Sequence, residues 1–148
     1  MDIISETLIV FGASILELWA GIPLGLVFGI NPIITGAAAA LGAISAAVIV
    51  SLLGDSIRDK FIKWRYGENK DLKSGNFYNI WNKYGIIGLG LISPLLFGAT
   101  IGAALGIALG AEKRPLLIWM SIGIVIWSII LTSAGYLGIM TFESSFNF

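Results

Sequence analysis

The sequence predicts an all-α integral membrane protein built as two inverted repeats, each a re-entrant hairpin followed by a transmembrane helix. Three observations lead there. The 148 residues are 57% hydrophobic and 12% charged, with a mean hydropathy of +0.91, against roughly 45–50% apolar content in ordinary soluble domains. Charge is also segregated: Glu17 is the single formally charged side chain between Thr7 and Gly54, none falls between Tyr84 and Ala111, and residues 115–141 form a third uncharged run. Finally, Pro23 and Pro94 interrupt two of these runs where a continuous helix should break or kink.

Taken in order, residues 8–20 and 24–30 form two short helices about Pro23, and residues 85–92 and 97–110 do the same about Pro94. At about 1.5 Å per residue, pieces of this size reach only about half of a hydrocarbon core of about 30 Å, which suits a hairpin that enters and leaves by one face. Between them, Asn31-Pro32 supplies an N-cap and a first-turn proline ahead of a run to Gly54, and Pro115 opens a run to Gly138. Each run is long enough for one crossing. The result is a single membrane domain over 1–148: hairpin and span in 1–54, an interfacial linker in 55–83, hairpin and span in 84–148. The corresponding prolines make it a weak internal repeat.

Charge orients this layout, because short cytoplasmic loops carry the excess of Lys and Arg. Seven of the nine basic residues lie in 55–83, and the other two are Lys113 and Arg114. A re-entrant 85–110 puts all nine in the cytoplasm and both termini outside; a plain four-span bundle strands Lys113 and Arg114 outside and is the alternative. Within the linker, Ile57, Phe61 and Trp64 share a helical face, and Tyr66, Phe77, Tyr78, Trp81 and Tyr84 alternate with basic residues, as the headgroup layer favours. Asp55 with Arg58 and Asp59 with Lys63 stand at ion-pair spacing. Asp2 and Glu6 open the chain without Lys or Arg, so the first apolar run is expected to stay in the mature protein rather than leave as a signal peptide.

Zero net charge argues against a nucleic-acid partner. The absence of Cys and His removes disulfides, thiolate or imidazole metal sites and histidine relays. With no phosphate loop, dinucleotide fingerprint, zincin motif or nucleophile elbow in the sequence, an enzyme is not expected, nor a cofactor or metal.

Glu17 is the most informative residue. An acidic group at mid-bilayer costs on the order of 2.5–3.5 kcal/mol even on lenient scales, so it is expected to exchange a proton or hold a cation. Pro23 would free backbone groups at the same depth. The expected coupling or substrate-binding set is Glu17, Pro23, Asn31, Ser93, Pro94 and Thr100. Thr35, Ser128, Thr132 and Ser133 could line a path too, although hydroxyls in membrane helices commonly bond a carbonyl one turn back. Gly21, Gly25 and Gly29, and Gly98, Gly102, Gly106 and Gly110, recur every four residues and are expected to be helix-packing stripes.

The segments Glu17-Leu-Trp-Ala-Gly-Ile-Pro23-Leu-Gly25, Trp81-Asn-Lys-Tyr-Gly85-Ile-Ile-Gly88-Leu and Ser93-Pro94-Leu-Leu-Phe-Gly98 resemble the small multidrug export protein family, over nearly the whole chain. That family looks distantly similar to DedA-type membrane proteins, and the resemblance implies paired re-entrant hairpins and proton-coupled lipid transport. The family pattern often has an arginine two residues after the glutamate, where this chain has Trp19.

The leading expectation is a small secondary transporter or lipid-handling permease of a prokaryotic cytoplasmic membrane. It would move an amphiphilic or cationic substrate, coupled to a proton or small cation at Glu17, with membrane lipid as its surroundings. About 150 residues enclose a cavity poorly, so a homodimer is expected. The alternatives are a non-transporting scaffold or assembly factor, and a small channel.

Overall fold

The computed structural model describes residues 2–66 and 81–146, and all the regular structure among them is helical. Two helices, α1 (Ile3–Leu16) and α2 (Leu18–Val27), precede the long α3 (Pro32–Tyr66). In the second half a π-helical turn, Trp81–Gly85, runs into α4 (Ile86–Leu96), followed by α5 (Gly98–Ala108) and the long α6 (Lys113–Phe146). Pro32–Gly54 and Lys113–Phe142 are long and apolar enough to cross a membrane, each with a mean hydropathy of 2.2. Helices α1, α2, α4 and α5 have 14, 10, 11 and 11 residues, so they reach only about 15–21 Å.

The short helices pair into hairpins, but the bends are not at the prolines. Pro23 lies inside α2 and Pro94 inside α4. A proline removes one hydrogen bond and crowds the carbonyl four residues back, which these helices absorb; the chain turns where a residue can leave helical φ/ψ altogether. In the first hairpin that residue is Glu17, extended at φ −150° and ψ 133°, with its N–H donating to the Ala13 carbonyl and its carbonyl accepting from Ala20. In the second it is the pair Phe97 and Gly98, the latter left-handed at φ +78°. The prolines thus occupy different arms of the two hairpins and do not correspond.

The exits from the hairpins are alike. Gly29 (φ +72°) and Gly110 (φ +88°) each end a helix in the left-handed region. The Gly29 and Ile30 amides donate to the Leu26 and Gly25 carbonyls, and the Gly110 and Ala111 amides to those of Ile107 and Gly106. This is the two-bond Schellman closure, in which glycine avoids the Cβ clash of left-handed backbone. The Asn31 side chain then accepts from the Ile33 amide at 2.9 Å, capping α3 with Pro32 in its first turn.

Packing follows glycines that let backbones approach, the usual solution where hydrophobic burial gives helices no drive to associate. A Cβ on Gly21 would strike Ser14, one on Gly25 Thr35, one on Gly102 Ser93 and one on Gly106 Leu116. Gly42 of α3 lies against the backbone of α1 at Phe11, and Gly123 of α6 against that of α4 at Gly90. Gly54 meets Ile107 of α5, while Gly135 meets Leu26 of α2. Gly21, Gly25, Gly42 and Gly54 each stand 81 positions before Gly102, Gly106, Gly123 and Gly135. Helices α3 and α6 run antiparallel, as the Ser128 hydroxyl donates to the Gly36 carbonyl at 2.7 Å while Gly54, farther along α3, lies against Ile107, just ahead of the start of α6. The contact of Gly54 with Ile107 brings the end of the α3 apolar stretch to the end of the bundle where Lys113 and Arg114 start α6.

Beyond Gly54, α3 continues helically to Tyr66. The side chains that the expected face (Ile57, Phe61, Trp64) and the expected ion pairs (Asp55 with Arg58, Asp59 with Lys63) depend on are not described beyond an exposed Asp59, and residues 67–80, with the aromatic residues expected there, lie outside the described residues. Lys83 and Tyr84 are described and exposed, with the ammonium 5.5 Å from the ring centroid, within cation–π range.

Candidate functional site

Helix α1 crosses α3 at Gly42 and α4 crosses α6 at Gly123, each within about two turns before its bend. The two bends meet. A Cβ placed on Gly98 would lie 3.7 Å from the Glu17 Cγ. The indole of Trp19, two residues into α2, donates from Nε1 to the Leu95 carbonyl at 2.7 Å, and the Thr100 hydroxyl, near the start of α5, points at the Leu16 carbonyl at 3.5 Å. Leu16 and Leu95 are in the last turns of α1 and α4, whose final carbonyls have no partner within their own helix. Each hairpin therefore offers a donor from its second arm to the orphan carbonyls of the other's first arm. Of the two contacts, only that of Trp19 has the length of a strong hydrogen bond.

Glu17 is exposed, and its carboxylate has no hydrogen-bond or ion-pair partner among the described residues. One copy of the chain does not enclose it. Beneath each bend lies a buried serine: Ser14 under Gly21 and Ser93 under Gly102, both at 0–1% exposure with Oγ unpartnered. Thr35, Ser51 and Thr132 are the other buried hydroxyls without a partner. The described residues hold no group of three or more acidic, His or Cys side chains placed to bind a metal.

The expected set thus divides. Glu17 and Thr100 meet at the bends, with Ser93 and the buried Pro94 one turn back along α4. Pro23 is exposed on α2, six residues beyond the bend, and Asn31 caps α3 at the hairpin's exit. Among the glycines, Gly21, Gly25, Gly102 and Gly106 occupy close contacts, whereas Gly29, Gly98 and Gly110 hold left-handed backbone. Trp19 and Ser14 were not expected. Trp19 carried a signal, an indole N–H two residues from a lone acid inside an apolar run.

No curated protein and no solved structure matches the chain. The family described as "Putative small multi-drug export protein" matches residues 17–130, from the bend at Glu17 through α2, α3, α4 and α5 into α6. That description speaks for a transporter rather than an enzyme. With well over half of its length matched, the chain belongs to the small multi-drug export protein family.

Proposed function

We propose that the chain is a secondary transporter or lipid-handling permease that moves an amphiphilic or cationic substrate, with Glu17 as the group that takes up a proton or small cation. The observation that carries this is the meeting of the two bends, each offering a donor to the other, with an unpaired carboxylate at their contact. In this reading the hairpins are re-entrant and the halves form an inverted repeat. Support comes from arms too short to cross and from the glycine contacts that recur 81 positions apart, including the exchanged pair Gly54 with Ile107 and Gly135 with Leu26. The nearness of Lys113 and Arg114 to the end of the α3 apolar stretch supports a reading with that end in the cytoplasm and the termini outside.

Trp19 takes the place of a basic partner for the acid, bonding backbone instead and leaving Glu17 free for a transported cation. An acid exposed at mid-depth is too costly to face hydrocarbon. A second copy, with water between the copies, completes the site, so the working form is a homodimer of the cytoplasmic membrane. The test is reconstitution into liposomes with a lipophilic cation such as ethidium and an imposed pH gradient. Wild type drives flux, Glu17→Gln falls to the level of protein-free liposomes, and Glu17→Asp keeps a part. Equal flux from wild type and Glu17→Gln removes the carboxylate from the mechanism; no flux from wild type with a stoichiometric partner copurifying favours a scaffold.

A further inference from the structure

Each hairpin proline frees one carbonyl, and the chain treats the two differently. Proline has no N–H, so the carbonyl four residues back loses its helical donor: that of Gly90 for Pro94, and that of Trp19 for Pro23. Pro94 is buried, and α6 covers its break. Gly123 lies against the Gly90 carbonyl, where a Cβ would strike the oxygen, and one turn on the Trp127 indole donates to the neighbouring Leu91 carbonyl at 2.7 Å. At Pro23 no side-chain donor among the described residues reaches the Trp19 carbonyl, and Trp19, Ala20 and Pro23 are all exposed. This uncovered carbonyl stands two residues, about 3 Å of helix rise, from the unpaired acid Glu17.

We infer that the Glu17 site takes a protonated amine bearing N–H groups, which bridges the Glu17 carboxylate and the Trp19 carbonyl. This rests on the reading of Glu17 as the cation-binding group and specifies the cation. A carboxylate attracts any positive charge, but a backbone carbonyl without its donor at membrane depth requires a donated hydrogen. An ammonium with two or three N–H groups satisfies both oxygens at once, and its bonds are charge-assisted. A quaternary ammonium, sheathed in alkyl groups, meets the charge of the acid and leaves the carbonyl bare. A divalent metal ion calls for six or more oxygens, far beyond this pair. The rings of Trp19 and Phe97, 47% and 49% exposed at the two bends, offer apolar surface to the body of such an amine.

The full chain in phosphatidylcholine nanodiscs is titrated with phenethylammonium and with phenethyltrimethylammonium, equal in charge and ring, and binding is read by equilibrium dialysis against empty nanodiscs. Wild type is expected to prefer the first about tenfold, the worth of one charge-assisted hydrogen bond. Pro23→Ala, a change that a helix tolerates well, restores an N–H for the Trp19 carbonyl. It should bring the preference to about twofold or less while both probes still bind. Pro94→Ala should keep the wild-type preference, because α6 already covers that break, and Glu17→Gln should lose both probes. Equal affinity of wild type for the two probes, binding of neither, or a preference that survives Pro23→Ala overturns the inference. A tenfold preference without flux in the liposome assay upholds it and removes the transporter reading instead; Glu17-dependent flux with no preference for N–H does the reverse.

Discussion

The first half of the molecule and the second solve one packing problem with the same residues at the same stations, and then differ where the hairpins turn. In both, a glycine lets a span-length helix touch the first arm's backbone, another accommodates a buried serine, and a third closes the second arm in left-handed backbone. At the turn, however, the first half uses a single extended acid, Glu17, and the second uses Phe97 and left-handed Gly98. The lesson is that the two halves share their glycine contacts but not the residue at the turn. One bend supplies a carboxylate, and the other supplies room beside it.

The equivalence of the halves is most directly broken at the helix crossings. Gly42→Ala and Gly123→Ala each drive a methyl into a backbone carbonyl, of Phe11 and Gly90 respectively, and neither neighbour can rotate away. Each is expected to cost about 1–3 kcal/mol, the usual range for overpacking, read from unfolding in mixed micelles titrated with dodecyl sulfate. Gly12→Ala, Gly88→Ala and Gly138→Ala, where nothing lies within 4 Å, should be neutral or stabilising by about 0.5–1 kcal/mol. A crossing glycine that tolerates alanine in one half but not in the other would end the comparison.

The exits come next. Gly29→Ala and Gly110→Ala force a Cβ into left-handed backbone and should each lose about 1–2 kcal/mol, with Asn at either site recovering a part of it. Unequal losses, measured by the same titration, would show that one Schellman closure bears more of the hairpin's stability than the other.

Much of this architecture was legible in the sequence. The segregation of charge marked 32–54 and 115–138 as apolar spans, which the structure extends to Lys113–Phe142 in the second case, and Asn31-Pro32 marked the start of α3, because cap chemistry is local. The bends were harder to read. Proline is the loudest breaker, yet Pro23 and Pro94 are absorbed within helices, and nothing local announces that Glu17 adopts an extended backbone. The prolines suggested an internal repeat, but they lie in different arms of the two hairpins; what recurs 81 positions on are the contact glycines at 21, 25, 42 and 54. Four-residue glycine spacing was legible too, but it could not separate contact glycines such as Gly25 from turn glycines such as Gly29, which depend on φ and not on spacing. At the candidate site Glu17 stood out by cost alone. Trp19 did not, because its partner is a backbone carbonyl 76 residues away.

The smallest effects are expected at the bends, and they sharpen the comparison most. Trp19 and Thr100 stand 81 positions apart and each faces a carbonyl in the last turn of the other hairpin's first arm, yet one contact measures 2.7 Å and the other 3.5 Å. Trp19→Phe should therefore cost about 0.5–1.5 kcal/mol, a full hydrogen bond's net worth, beyond what ring size alone removes, whereas Thr100→Val should cost only a few tenths, since a 3.5 Å contact is at the limit of bonding. Cysteines introduced as the pairs 19/95 and 16/100 test the same asymmetry without relying on stability, because a chain lacking native cysteine reports only the engineered pair. The first pair should close readily and the second slowly. Should the hairpins exchange these roles during a transport cycle, an imposed gradient would reverse that order, and closing either pair would arrest flux. Identical closure of both pairs under all conditions would make the contact a static seam, and the difference between the two halves would then reside in Glu17 alone.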